Sequence, residues 1–330
     1  MEIAMSKGLG DLFNDPDFRR RLRQRIQEGW TFEKIEPMST AEIFARLNRL
    51  GIPVTPEDFQ QAAQRHESAE RLADEWYKRY TLHPEGRYDE DFVWMAAIVL
   101  WKRLVPDRTC FEQINERIRE GYDLLERRRT AEACDAWWQV WEWLVEKVTP
   151  ERNTIAALDA DFVGTQSVYN WCQDFEMELG NACINDARYC RLRIRYCQEF
   201  LEAFSGIGWL MRGNFLRAEA ESYWRLGDVE TAEARFEALI EVNPDWAWGY
   251  IDWSDLHWLY QDSPKDYARG EAILRRALAR PRLEDREDVL DRLEKLRAER
   301  APARAASRRE KRRQARGSKR PPWRRKRQGR

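Results

Sequence analysis

Apolar residues recur along most of this chain at intervals of three and four, the period of a helix with one buried face. Phe18, Leu22 and Ile26 follow Asp15-Pro16, predicting a helix through about Glu28 whose other face carries Arg19, Arg20, Arg21, Arg23 and Arg25. Ser39-Thr40-Ala41-Glu42 reads as a capped helix start, with Gly51 ending that helix. Thr55-Pro56-Glu57 begins another, because Thr is a good N-cap and Pro fits the first helical position. A third begins near Ser68, and Asp89–Arg103 is apolar on most sides, as a buried helix would be. Further helical patterns cover Glu112–Arg127, Thr130–Val148, Thr165–Leu179, Asp186–Phe204, Gly213–Leu226, Val229–Val242, Asp245–Tyr260, Lys265–Ala279 and Asp285–Arg300. No segment alternates as a strand does, so the expected class is all-α.

Within these helices a small-large-small triplet returns at constant spacing: Ala133/Trp137/Val140, Cys190/Ile194/Cys197, Ala232/Phe236/Leu239 and Gly270/Leu274/Ala277. The most complete unit is Gly213 to Pro244. Counted from Gly213, Ala220 falls at position eight, Tyr223 at eleven, Gly227 at fifteen, Ala232 at twenty, Phe236 at twenty-four, Leu239 at twenty-seven and Pro244 at thirty-two. The small residues permit close approach of two helices, Phe236 fills the space beside them, and Leu226-Gly227-Asp228 makes the turn. This unit resembles the tetratricopeptide repeat, a helical hairpin of about 34 residues. The resemblance implies a right-handed solenoid of about four units between Glu112 and Pro281, preceded by a helical region from residue 15 to 111 and closed by a polar capping helix ending near Arg300. Leu179-Gly180-Asn181 resembles the helix-ending turn of the third unit. Gly164-Thr165-Gln166, Asn170–Ala182, Asn243–Asp252 and Ala279–Leu290 also resemble a group of uncharacterised bacterial tetratricopeptide-like proteins. Members of that group often end in a cysteine-rich SEC-C zinc motif. Here the last thirty residues hold neither Cys nor His, so zinc binding does not carry over.

The repeat register picks out candidate groove residues, because the first helix of each hairpin lines the concave side in this family. These are Asn170, Asp174 and Met177 in the second unit, Arg217, Glu221 and Trp224 in the third, and Trp248, Asp255 and Trp258 in the fourth. The resemblance thus implies an aromatic, acidic groove suited to a basic or apolar protein segment through cation–π and charge-assisted contacts. The sixteen tryptophans have a plainer use as packing between helices.

Charge adds a second candidate. The net charge of −1 hides a split, for residues 301–330 hold fourteen Lys/Arg against one Glu. The body is left with an excess of about fourteen acidic residues. Arg308, Arg309, Lys311, Arg312, Arg313, Lys319, Arg320, Arg324, Arg325, Lys326 and Arg327 form a tail without large aliphatic side chains, expected to be disordered and able to grip a polyanion such as RNA or a ribosome. The same tail could dock in the acidic groove of its own chain. Residues 1–14 are expected to fray.

Chemistry is sparse. The three histidines, His66, His83 and His257, neighbour no nucleophile in sequence, and no phosphate-loop, Gly-x-Ser-x-Gly or His-Glu-x-x-His pattern occurs. The expectation is a non-enzymatic protein without a cofactor. Of the six cysteines none forms a Cys-x-x-Cys pair, and Cys190 and Cys197 at small core positions are expected as buried thiols. No secretory signal and no membrane-length apolar run is visible, so the cytoplasm is the expected location.

Overall fold

The computed structural model describes residues 16–161, 167–260 and 264–301, and all regular structure among them is helical. The helices are α1 (Pro16–Glu28), α2 (Phe32–Ile35), α3 (Thr40–Arg49), α4 (Pro56–Ala63), α5 (Ala69–Arg79), α6 (Asp89–Leu104), α7 (Phe111–Glu126) and α8 (Thr130–Val145). There follow α9 (Ile155–Asp161), α10 (Val168–Cys183), α11 (Ala187–Ala203), α12 (Trp209–Arg225), α13 (Val229–Val242), α14 (Ala247–Trp258), α15 (Tyr267–Leu278) and α16 (residues 286–301). Two compact units result, Met1–Trp143 with Ala156–Trp171, and Leu144–Ile155 with Cys172–Arg330. The basic tail lies outside the described residues, as do residues 1–15. No helix among the described residues is long and apolar enough to cross a membrane.

The first unit is built around α6, against which α2, α3, α4 and α5 all pack. Its sequence explains this, since Phe92, Val93, Ala96, Ala97, Leu100 and Trp101 are fully buried and Ile98 and Val99 nearly so. The capping motifs legible in sequence are present. Ser39 Oγ accepts from the Glu42 amide while Glu42 Oε2 accepts from the Ser39 amide, and Thr55 and Asp58 do the same at α4. Asp89 fastens the unit: its buried carboxylate accepts hydrogen bonds from Trp30 Nε1, Arg46 Nη2 and the amides of Glu85 and Gly86. In the α7–α8 hairpin, Trp137 Nε1 donates to the Ile118 carbonyl at 3.0 Å, and its indole leaves no room for a methyl group at Gly121.

In the second unit α11, α12, α13, α14 and α15 each pack on their neighbours in sequence, and α12 also packs on α14. All four small-large-small triplets of the sequence are buried, including the Ala133/Trp137/Val140 triplet of the first unit. Phe200 stacks on Phe215 (3.9 Å between centroids) and Phe236 on Trp253 (6.0 Å), joining α11 to α12 and α13 to α14. Gly227 has φ +82°, and Asp228 Oδ1 accepts from the Thr231 amide to cap α13. The last helix buries Val289, Leu293 and Leu296.

Three expectations are corrected. The helix expected to end at Leu179 runs on to Cys183, and Gly180 lies inside it. A methyl group there would sit 2.8 Å from Cζ of Arg193, so this glycine makes room for a side chain rather than a turn. The helix expected to start at Gly213 starts at Trp209, and Gly213 faces Trp246 closely. Cys190 is buried as expected, but it is bonded to Cys183 in a disulfide across the α10–α11 turn. Eight residues of chain bring the two sulfurs together, a proximity that spacing alone left open.

Candidate functional site

A cavity of about 340 Å³ opens on α10, α11 and α12. Gln173, Glu176, Met177, Gly180, Asn181 and Ile184 come from α10 and its turn, Arg193 from α11, and Asn214, Phe215, Arg217, Glu221 and Arg225 from α12. A smaller one of about 90 Å³ shares Arg217 and Glu221 with it and adds Phe236, Asp252, Leu256 and Tyr260. The two lie side by side in the second unit, and the larger is called the channel below.

The floor is a chain of ion pairs between helices. Arg193, buried at its head, donates from Nε to Glu176 Oε1 (2.7 Å) and from Nη1 to Glu221 Oε2 (2.9 Å). Glu221 Oε1 also accepts from Arg225 Nη2 at 2.8 Å. Arg217 pairs with Asp252, tying α12 to α14. Burial opposes ionisation of Glu221, but Arg193 and Arg225 outweigh it and hold the carboxyl at about 2. Burial wins at Asp252, whose pKa is raised despite Arg217. Every one of these groups has a partner within the fold, so the floor carries little unmatched charge.

The rim differs. Met177 is 53% exposed, Ile184 63% and Tyr260 59%, among the most exposed large apolar side chains described. Asn214 and Asn181 place carboxamides in the larger cavity, groups able both to donate to and to accept from a peptide backbone.

No protein-family model matches the chain, and no curated protein is significantly similar to it. The site is therefore read from its own chemistry.

Of the residues expected in a groove, Met177, Arg217 and Glu221 line the larger cavity. Asn170 is exposed and Asp174 half-buried on α10, outside the lining. Trp224 is half-buried with its ring edge-on to His257 (4.8 Å), and Trp248 is half-buried against the core of α13–α16. Two residues are corrected. Trp258 is 1% exposed, its Nε1 donates to Ser254 Oγ, and its ring fills the space that Gly270 leaves. Asp255 is fully buried facing α16, where Arg292 Nη1 lies 3.2 Å from Oδ2. Burial, with Arg292 working against it, pushes Asp255 up to about 7. The expected repeat register would put these positions on an inner helix, but α15 and α16 cover them. The tail positions, Arg308 to Arg327, lie outside the described residues.

Glu176, Arg193, Asp252 and Ile184 were not singled out in the sequence. Arg193 left one trace there, standing beside the core position Ile194 on a face otherwise made of Tyr189, Tyr196 and Cys197.

A wider depression of about 910 Å³ follows the α7–α8 hairpin of the first unit. Its wall is mostly charged, with Arg117, Arg119, Arg127 and Arg129 interleaved with Glu116, Glu120, Asp123, Glu132 and Asp135. Interleaved charges of both signs favour water as the occupant, so we regard the channel of the second unit as the stronger candidate.

Proposed function

We propose that this protein is a non-enzymatic interaction scaffold of tetratricopeptide-like helical hairpins, whose second unit takes an extended or helical protein segment in the α10–α12 channel. The observation carrying this reading is the pairing of an apolar rim, Met177 and Ile184, with a floor whose charges are already matched to one another. Such a surface favours an apolar segment over a basic one. A basic ligand would have to displace Arg193, Arg217 or Arg225 from carboxylates they hold in place. The same argument weighs against the chain's own tail as the occupant.

The test is selection of random displayed peptides on the full chain, followed by rebinding to a Met177→Lys/Ile184→Lys variant. Apolar sequences that lose at least tenfold in affinity on the variant are the expected outcome, about 1.4 kcal/mol or more. Peptides that bind both proteins equally would refute the channel.

A second reading concerns the tail, favoured by the concentration of fourteen basic residues in the last thirty. In it the tail holds RNA or a ribosome through phosphates while the helical body carries a protein partner, in the cytoplasm. Replacing its arginines by glutamine should abolish RNA binding and its salt dependence; binding that survives the change would exclude this role.

A further inference from the structure

The turn that brings Ile184 to the rim of the channel is closed by a covalent bond. Cys183 is the last residue of α10 and Cys190 lies on the first turn of α11, and their disulfide spans the turn of residues 184–186. Ile184, the most exposed apolar residue of the rim, stands inside this loop, and Gly180 and Asn181 immediately precede it. The turn's residues 184–187 are exposed, so no apolar side chain anchors it to the core. Its hydrogen bonds include the Ile184 amide donating to the Asn181 carbonyl at 3.3 Å, the Asn185 and Asp186 amides donating to the Ala182 carbonyl, both at 3.1 Å, the Tyr189 amide donating to the Asp186 carbonyl at 3.0 Å, and the Arg188 amide donating to Asp186 Oδ1 at 2.8 Å.

We propose that Cys183–Cys190 is a thiol-controlled switch on the rim of the channel, opened by a dithiol reductant. The proposal rests on the reading of that channel as a binding surface. Cys183 is the more exposed of the two, 6% against 1% for Cys190, so the reductant's attack is placed on Cys183. A thiolate of the reductant attacks Cys183 Sγ, forming a mixed disulfide. The bond to Cys190 breaks, and Cys190 leaves as a thiolate that takes up a proton. The reductant's second thiol then closes on its own sulfur and releases Cys183, likewise protonated. Two electrons and two hydrogens reach the protein, and the reductant becomes a cyclic disulfide. Of the other cysteines in this unit, Cys172 and Cys197 are fully buried in the core, so neither offers an outside thiol a way in. Once the bond is open, the turn at Ile184 keeps its hydrogen bonds but loses its covalent tie, and the rim loses its fixed shape. In the oxidised chain the rim is set, and a segment meets a surface already ordered.

Hydrogen exchange read by mass spectrometry on the full chain tests this, with dithiothreitol as the dithiol. The chain is purified without reductant and its thiols are blocked before analysis. Expected is a disulfide in the untreated protein, and amides of residues 181–188 that exchange about tenfold faster once the mass gain of two hydrogens shows reduction, while α14 and α15 are unchanged. A Cys183→Ser/Cys190→Ser variant should match the reduced wild type; if it does not fold, the reduced wild type alone decides. Unchanged exchange after proven reduction overturns the proposal, and so does a purified chain carrying two thiols here. The channel reading fails separately. If the turn loosens but no selected peptide depends on Met177 and Ile184, the switch exists without the binding surface it was assigned to regulate.

Discussion

At Gly180 a single methyl group would lie 2.8 Å from the guanidinium carbon of Arg193, closer than real contacts allow. Gly180→Ala should therefore push Arg193 off Glu176 and Glu221 and destabilise the second unit by about 1–3 kcal/mol, read as a lower midpoint in urea. An equal midpoint would mean that Arg193 has another place to go. Asp255 is the opposite case, a carboxyl whose charge the fold disfavours. Neither of its oxygens accepts a hydrogen bond from the described residues. The charged groups acting on it are Arg292 and Lys295 of α16 and Asp252 of its own helix. Its folded pKa of about 7 stands above that of an unfolded Asp. The stability tied to it is thus complete below about pH 4 and is lost as pH rises through about 7. Asp255→Asn should flatten this dependence and raise the melting temperature at pH 8, measured by circular dichroism. A variant that melts lower than wild type at pH 8 would show the Arg292 pair to be worth more than the burial costs. Glu221 runs the other way. Its pKa is depressed, so its contribution is present above about pH 4 and fades as pH falls toward 2.

Among elements, turns separate two ways of ending a helix. Gly227 needs its positive φ and touches nothing a methyl would meet, so Gly227→Ala should cost only backbone strain, about 1 kcal/mol. Chemical denaturation checks this value. The α10–α11 turn has no such glycine and uses a disulfide. Closing a loop of this length removes enough unfolded-chain entropy to stabilise by roughly 2 kcal/mol, so a reductant should lower the unfolding free energy of the second unit by about that amount. The helices themselves were largely legible from apolar spacing and caps, as at Ser39, Thr55 and Asp228. The short helices α2 and α9 were not, because four and seven residues give too few turns for a period to show. The end of α10 was misplaced because a glycine in sequence does not say whether it serves a turn or a neighbour.

For the whole molecule, charge is the feature that contacts alone do not explain. The basic excess of residues 301–330 nearly cancels the acidic excess of the rest. If the tail contacts single-stranded RNA through several phosphates, the logarithm of affinity should fall with the logarithm of salt by roughly 0.7 per contact. A flat salt series would leave the tail without that role.

Composition and periodicity were enough to make this chain helical and to pick much of its core, since burying one face of a helix requires small and large apolar residues at helical spacing. Ala232, Phe236 and Leu239 occupy the interior for that reason alone. Which charges meet was decided only by the fold. Arg193 finds Glu176 seventeen residues before it and Glu221 twenty-eight after it, distances over which no local pattern operates. The fold likewise buried Trp258 and Asp255 beneath later helices and left Met177 and Ile184 uncovered. Exposure depends on what packs on top of a helix, and no property of the helix's own sequence contains it.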